Sequence, residues 1–232
     1  VNTGAANSLT ISADARSAAM GGVGVAAPGG DHAVFHNGAA ALSDVTRRGG
    51  VAYTYSPWMR DYESGYSLHS LGSFYKINQR NAILLGVLYK CEINDWEGAG
   101  WSVGLHVSNL GPKINYLTSK DALPATVKVG GAADLPFLQM HKLTLTADLG
   151  YRLSPADVQA LSVSAGAEYA WRELVMLSGG YHCGDKKKGD ASYATAGAGV
   201  EYAGVRLDFA WLFAGHEYLA RNTFWVSLGY SF

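Results

Sequence analysis

Charge is scarce in this chain. Only 16% of its 232 residues are Asp, Glu, Lys or Arg, and the net charge is −1. So even a balance gives no electrostatic basis for binding nucleic acid or an anionic surface. Cysteine is nearly absent as well. Cys91 and Cys183 are too few for a disulfide scaffold and have no metal-ligand spacing. They read either as two unrelated small side chains or as one disulfide between loops. No run of about 18 or more apolar residues occurs, which excludes a helical membrane span, and the mean hydropathy is +0.01. The chain begins at Val1 rather than Met, so a processed N-terminus with its secretory signal removed is expected.

Signatures of catalysis are lacking too. There is no Gly-x-Ser-x-Gly, His-Glu-x-x-His, phosphate-binding Gly-Lys-Ser/Thr or Cys-x-x-Cys. "GGVGVAAPGG" has many glycines, but no strand precedes it and its spacing does not fit a dinucleotide loop. The histidines His32, His36, His69, His106, His141, His182 and His216 are scattered. His69 and His106 fall on expected inner faces. A satisfied histidine explains them better than a proton shuttle, which needs a partner at hydrogen-bond distance. The expectation is a protein without enzymatic activity, cofactor or metal.

What the chain has in quantity is glycine (29), tyrosine (14) and tryptophan (6), and from Gly50 onward an alternation. In "LTLTADLGYR", Leu143, Leu145, Ala147, Leu149 and Tyr151 take one face, and Thr144, Thr146, Asp148, Gly150 and Arg152 the other. "VRLDFAWLF" sets Val205, Leu207, Phe209, Trp211 and Phe213 against Arg206, Asp208, Ala210 and Leu212. The closing "TFWVSLGYSF" alternates up to Phe232. Period two predicts strands. About eleven are expected, at 51–56, 65–76, 81–90, 101–109, 124–135, 142–152, 159–171, 173–182, 191–202, 204–214 and 222–232.

A soluble sandwich and a membrane barrel both have one apolar face. Three features favour an all-β, antiparallel transmembrane barrel. The polar faces carry Gly, Ser and charges of both signs, as a crowded wet lumen requires. The apolar faces tend to end in Tyr151, Tyr169, Trp171, Tyr202 and Tyr230, where an interfacial aromatic girdle sits. Short connections ("WRE", "AG") alternate with long polar ones. On this reading the last strand closes the barrel against lipid. Lumenal Asp148, Arg152, Glu168, Glu201, Arg206 and Asp208, with Lys128 and Asp134, nearly balance in sign. That suits a paired network holding a plug rather than an ion-selective ring. Residues 1–49 are rich in Ala and Gly and weakly periodic. They read as that plug, or else as a flexible periplasmic tail, with the barrel occupying 50–232.

The residues also carry a resemblance. "DARSAAMGGVGVA" followed by "AVFHNGAAALS" resembles the N-terminal hatch of FadL-like outer-membrane proteins. "GGVAYTYSPWMRD", "VSNLGPKINY", "LPATVKVGGAADL" and "VSLGYSF" are similar to the PorV branch of the PorV/PorQ family, over about residues 12–232. His36-Asn37-Gly38 departs from the family's usual Trp-Asn-Pro. The resemblance implies a fourteen-stranded barrel in the outer membrane of a Gram-negative bacterium of the Bacteroidota, serving the type IX secretion system. Such a barrel receives the C-terminal signal domains of secreted cargo from the translocon and presents them to a PorU-like sortase. The relation to FadL implies an alternative, a channel for small hydrophobic molecules. Phe232 matches the C-terminal aromatic that serves such barrels as an assembly signal.

Counting strands back from a periplasmic C-terminus puts the longer connections outside. Partner binding is therefore expected on 109–124, 183–191 and 215–221, with 56–64 beside them. The candidate residues are Pro57, Trp58, Arg60, Asn109, Lys113, Tyr116, Lys120, Lys186, Lys187, His216 and Tyr218. "DKKKGD" reads first as a solvated loop, and otherwise as a contact with cargo or lipid phosphate. The same count makes 81–90 and 101–109 parallel neighbours, joined by a stretch too short for a crossover. With eleven strands an odd number, the expectation is that strands are missing between Cys91 and Trp101.

Overall fold

The computed structural model describes residues 11–27, 33–37, 40, 48–58, 66–75, 86–93, 96–108, 114–116, 119–121, 124–154, 159–215 and 223–232. Two short helices, α1 (Ala15–Ala19) and α2 (Ala33–His36), precede the strands. The strands are β1 (Gly49–Trp58), β2 (Tyr66–Tyr75), β3 (Gly86–Glu92), β4 (Gly100–Ser108), β5 (Ile114–Tyr116), β6 (Ser119–Asp121), β7 (Thr126–Phe137), β8 (His141–Arg152), β9 (Ala160–Trp171), β10 (Val175–Cys183), β11 (Tyr193–Tyr202), β12 (Val205–Phe213) and β13 (Phe224–Ser231). Eleven of them form one antiparallel sheet in the order β2-β1-β13-β12-β11-β10-β9-β8-β7-β4-β3, and β5 pairs with β6 apart from it.

The last strand meets the first: Gly50 lies opposite Ser231 and Tyr55 opposite Val226. Phe232 extends this ladder, exchanging backbone hydrogen bonds of 3.0 Å each way with Gly49. Among the described residues the sheet is open, with β2 and β3 as its edges. Alternate strands reverse, so these two edges run in the same direction. At the end where Phe232 lies, three connections are tight. They use left-handed residues at Leu138 and Gln139, Arg172 and Glu173, and Ala203 and Gly204. Two such residues in succession match the right-handed twist of a hairpin. The opposite end carries the longer connections.

Glu92 pairs with Gly100 and Cys91 with Trp101 in an antiparallel hairpin. Its turn is closed by Ile93 N–H to Ala99 O at 2.9 Å and Ala99 N–H to Trp96 O at 2.9 Å. The expected break there is therefore wrong. The expectation placed the strand at 81–90, whereas β3 begins at Gly86 and runs opposite to the assumed direction. The parity problem instead falls at the seam between β2 and β3.

The two faces of the sheet differ as the alternation predicts. Leu145 and Phe209 are each 43% exposed, while Asp148 and Glu168 on the opposite face are 4% and 5% exposed. Exposed apolar side chains run from Val51 and Tyr53 on β1 through Val129, Leu149, Leu161, Leu177 and Leu207 to Leu228. Folding in water would leave that face unburied; in hydrocarbon it is where it belongs. Leu145→Arg is accordingly expected to cost about 2 kcal/mol in lipid vesicles. Urea titration of the refolded protein checks this, and an unchanged midpoint would count against a lipid-facing surface.

Candidate functional site: the occupied inner face

The N-terminal segment lies on the polar face and is held there strand by strand. Asp14 caps α1, its Oδ2 accepting from Ser17 N at 2.9 Å, and its Oδ1 lies 2.7 Å from His36 Nε2. Trp225 Nε1 donates to Ser12 O at 3.1 Å, and Ala15 N donates to Ser227 Oγ at 2.8 Å. Ser70 on β2 donates to Ala13 O. Thr195 Oγ1 donates to Ala19 O at 2.8 Å and Ser102 Oγ to Ala26 O at 2.6 Å. Ala15, Ala18 and Ala19 pack with Ala210, Leu212 and Trp225 as a small apolar cluster.

These contacts show that the sheet is curled. β2 and β4 stand nine strand spacings apart in the sheet order, about 43 Å if it were flat. Ala13 bonds to β2 and Ala26 to β4. The chain between them, part of it helical, reaches only about 35 Å. One short segment can touch both strands only if the sheet wraps around it.

Two carboxylates of the sheet, Glu168 and Asp148, bond directly to the N-terminal segment. Glu168 accepts from Arg16 Nε at 2.9 Å and from Arg16 Nη2 at 2.7 Å, a two-pronged charge-assisted pair. Burial by itself would lower the pKa of the Arg16 guanidinium, but Glu168 beside it holds it above its ordinary value. Arg206 lies 3.4 Å from the same carboxylate and bonds to Asp208 at 2.8 and 2.9 Å, with Glu201 at 3.5 Å. Asp148 Oδ2 accepts from Gly24 N at 2.9 Å and Val25 N at 3.2 Å. Its Oδ1 lies over Gly130 with no hydrogen-bond partner among the described residues. Lys142 stands 3.6 Å from Asp134.

Glycines mark the path that the segment's backbone follows. A Cβ at Gly166 or Gly180, paired across β9 and β10, would overlap the backbone of Met20. One at Gly104 would strike Val25 O, and one at Gly197 the side chain of Ala19. The backbone of residues 19–25 therefore lies directly on the wall. Only residues without side chains permit that approach.

The sequence-based candidates divide accordingly. Asp148 and Glu168 touch the N-terminal segment; Arg206, Asp208 and Glu201 complete the network behind it. Arg152 does not join them, since its Nη1 reaches Lys188 O at 3.5 Å near the long-loop end. His106 lies on the inner face, but His69 does not. Its ring is exposed on the outer face, with Nδ1 2.5 Å from Tyr53 OH and Nε2 3.0 Å from Ser67 Oγ. Pro57 and Trp58 are strand rather than loop residues: they end β1, and Pro57 is buried. Tyr116 and Lys120 belong to the β5–β6 hairpin, and Lys186 and Lys187 are exposed on a 3₁₀ turn. Arg60, Asn109, Lys113, His216 and Tyr218 lie outside the described residues. No disulfide joins Cys91 and Cys183, so the disulfide reading falls. Sequence reasoning missed the hydroxyl anchors Ser70, Ser102, Thr195 and Ser227, because small polar residues fill the whole inner face.

Ser164, His182 and Asp190 form a hydrogen-bonded chain, with Ser164 Oγ 2.7 Å from His182 Nδ1 and His182 Nε2 2.8 Å from Asp190 Oδ1. These residue types can activate a serine. Here Ser164 sits mid-strand opposite His182, between β8 and β10. The backbone there belongs to the ladder on both sides. The chain ties a loop to the wall. Among the described residues no three His, Cys, Asp or Glu side chains gather as a metal site.

Among the described residues the structure thus defines an all-β chain with eleven antiparallel strands in one sheet, apolar on one face and polar on the other. No protein-family model matches it, and no curated protein does. Among solved structures it is similar to two engineered variants of the Rhodopseudomonas blastica porin, at 12% and 11% identity. Each match covers 79% of this chain and 98% of the porin at a TM-score of 0.36. That likeness is too slight to say anything about what this chain does.

Proposed function

We propose that the chain is a non-enzymatic outer-membrane β-barrel protein whose N-terminal residues form a hatch in the lumen. On this reading it is an adaptor of the type IX secretion system, as its resemblance to PorV implies. It receives the C-terminal signal domains of cargo from the translocon and presents them to a PorU-like sortase. The observation that carries the reading is the occupied inner face. The hatch meets the wall from β2 to β4 through paired charges, hydroxyls and bare glycines. A wall so tightly engaged favours work at the rim over passage of a small hydrophobic molecule through the middle. The exposed apolar outer face supports the membrane location.

Purification from the native membrane in mild detergent tests this: cargo signal domains and the sortase should accompany the protein. Exchanging residues 109–124 and 184–191 for short neutral turns should abolish that association, while the barrel still resists protease. Association that survives the exchange would sink the rim assignment. A co-purifying fatty acid with no protein partner would favour the channel.

A further inference from the structure

We infer that residues 184–192, between β10 and β11, are a latched lid over the long-loop end of the inner face. The inference goes beyond the adaptor reading and holds whichever partner the rim binds. The loop does not stand away from its own strands. It leans across β9 to β8: Arg152, on the inner face at the end of β8, donates from Nη1 to Lys188 O at 3.5 Å. Lys188 Nζ donates in turn to Gln159 O, just before β9. The loop therefore crosses the mouth instead of extending the wall.

Its return limb is held by the chain described above. Asp190 bonds to His182, His182 bonds to Ser164, and the Tyr193 ring stacks on His182 with centroids 4.8 Å apart at 19°. Gly184 lets the limbs close, because a Cβ there would lie 2.5 Å from both Asp190 Cγ and Asp190 O. Within the loop, Gly184 N donates to Ser192 Oγ at 3.3 Å, and Asp185 Oδ1 accepts from Lys187 N at 2.9 Å. Both aspartates are thus turned onto the protein, while Lys186 and Lys187 are exposed at the tip. Most fastenings are polar side-chain bonds at the wet end of the barrel, with little apolar burial. Such contacts can open locally while the sheet stays intact.

The lysines make the lid readable by trypsin, which needs the segment undocked and extended. Cleavage follows the population of the open form when opening is fast. On the folded protein in detergent, Asp190→Asn should speed cutting after Lys186–Lys188 by about tenfold, the scale of a lost charge-assisted hydrogen bond. The strands should remain uncut. Should Asp190→Asn fail to assemble, Lys188→Met removes the ammonium on Gln159 O from a surface position. Cutting after Lys186 and Lys187 should then rise in the same sense. Cleavage no faster than in the unaltered protein, in whichever assembled variant is read, would overturn the latch.

Discussion

Gly180→Val is expected to expel the N-terminal segment from the sheet, while Gly179→Val leaves it in place. The two glycines are neighbours on β10 but face opposite ways. A Cβ at Gly179 meets nothing nearer than Thr195 O at 3.8 Å, an ordinary contact. A Cβ at Gly180 overlaps the carbonyl carbon and oxygen of Met20 and the nitrogen of Gly21. Those are backbone atoms, so no rotamer change relieves the clash. Nor can Met20 step aside, because Gly166 confines it from β9, and Gly21 sits so near β10 that a Cβ on it would lie 2.9 Å from the Tyr181 backbone. Overpacking of a well-filled site commonly costs about 1–3 kcal/mol, and more where backbone is struck. The strand can keep its ladder, so the loss should fall on docking rather than on the sheet. Trypsin cleavage at Arg16 in the assembled protein reads this directly. Equal protection in the two variants would show that the segment does not lie where the glycines place it.

This contrast also bears on what the sequence could reveal. Strands such as β8 and β12 were legible because their two faces differ over much of their length, as Leu145 and Asp148 or Phe209 and Asp208 do. β3 was hard to delimit because "AILLGVLY" has no polar face, so period two has no purchase and the boundary slides. β2 misled in another way. In "YSLHSLGSFY" both alternating sets mix apolar and polar residues, so nothing tells His69 which face is its own. The glycines that seat the N-terminal segment were invisible for a related reason. Gly180 is informative and Gly179 is not, yet the letters are identical, and only the position of a distant backbone separates them. The balanced charges were recognised as a network, but their partition was not. Which carboxylate meets Arg16 depends on where α1 is seated, and this is fixed by contacts more than 150 residues away in the chain.

The charge network yields the other large effect, at Glu168. Its carboxylate faces two guanidinium groups, Arg16 at 2.7 Å and Arg206 at 3.4 Å, with its side chain 6% exposed. Glu168→Ala leaves two buried cations without the anion between them, and breaking a buried pair in this way typically costs about 3–5 kcal/mol. The two arginines are not equally harmed. Arg206 retains both bonds to Asp208, whereas Arg16 loses the carboxylate that fixes α1 to β9. The damage should therefore run through Arg16, which a double-mutant cycle can isolate. Arg16→Met removes the stranded cation together with the pair, so adding it to Glu168→Ala should restore part of the lost stability. A coupling of about 2 kcal/mol or more between the two sites is the expected result in urea unfolding of the assembled protein. Glu168→Gln, which keeps the shape and discards the charge, should behave more like the alanine variant than like the unaltered protein. Were the Arg16 and Glu168 effects simply additive, the ion pair would not be what seats the N-terminal segment, and the hydroxyl and glycine contacts would have to hold it alone.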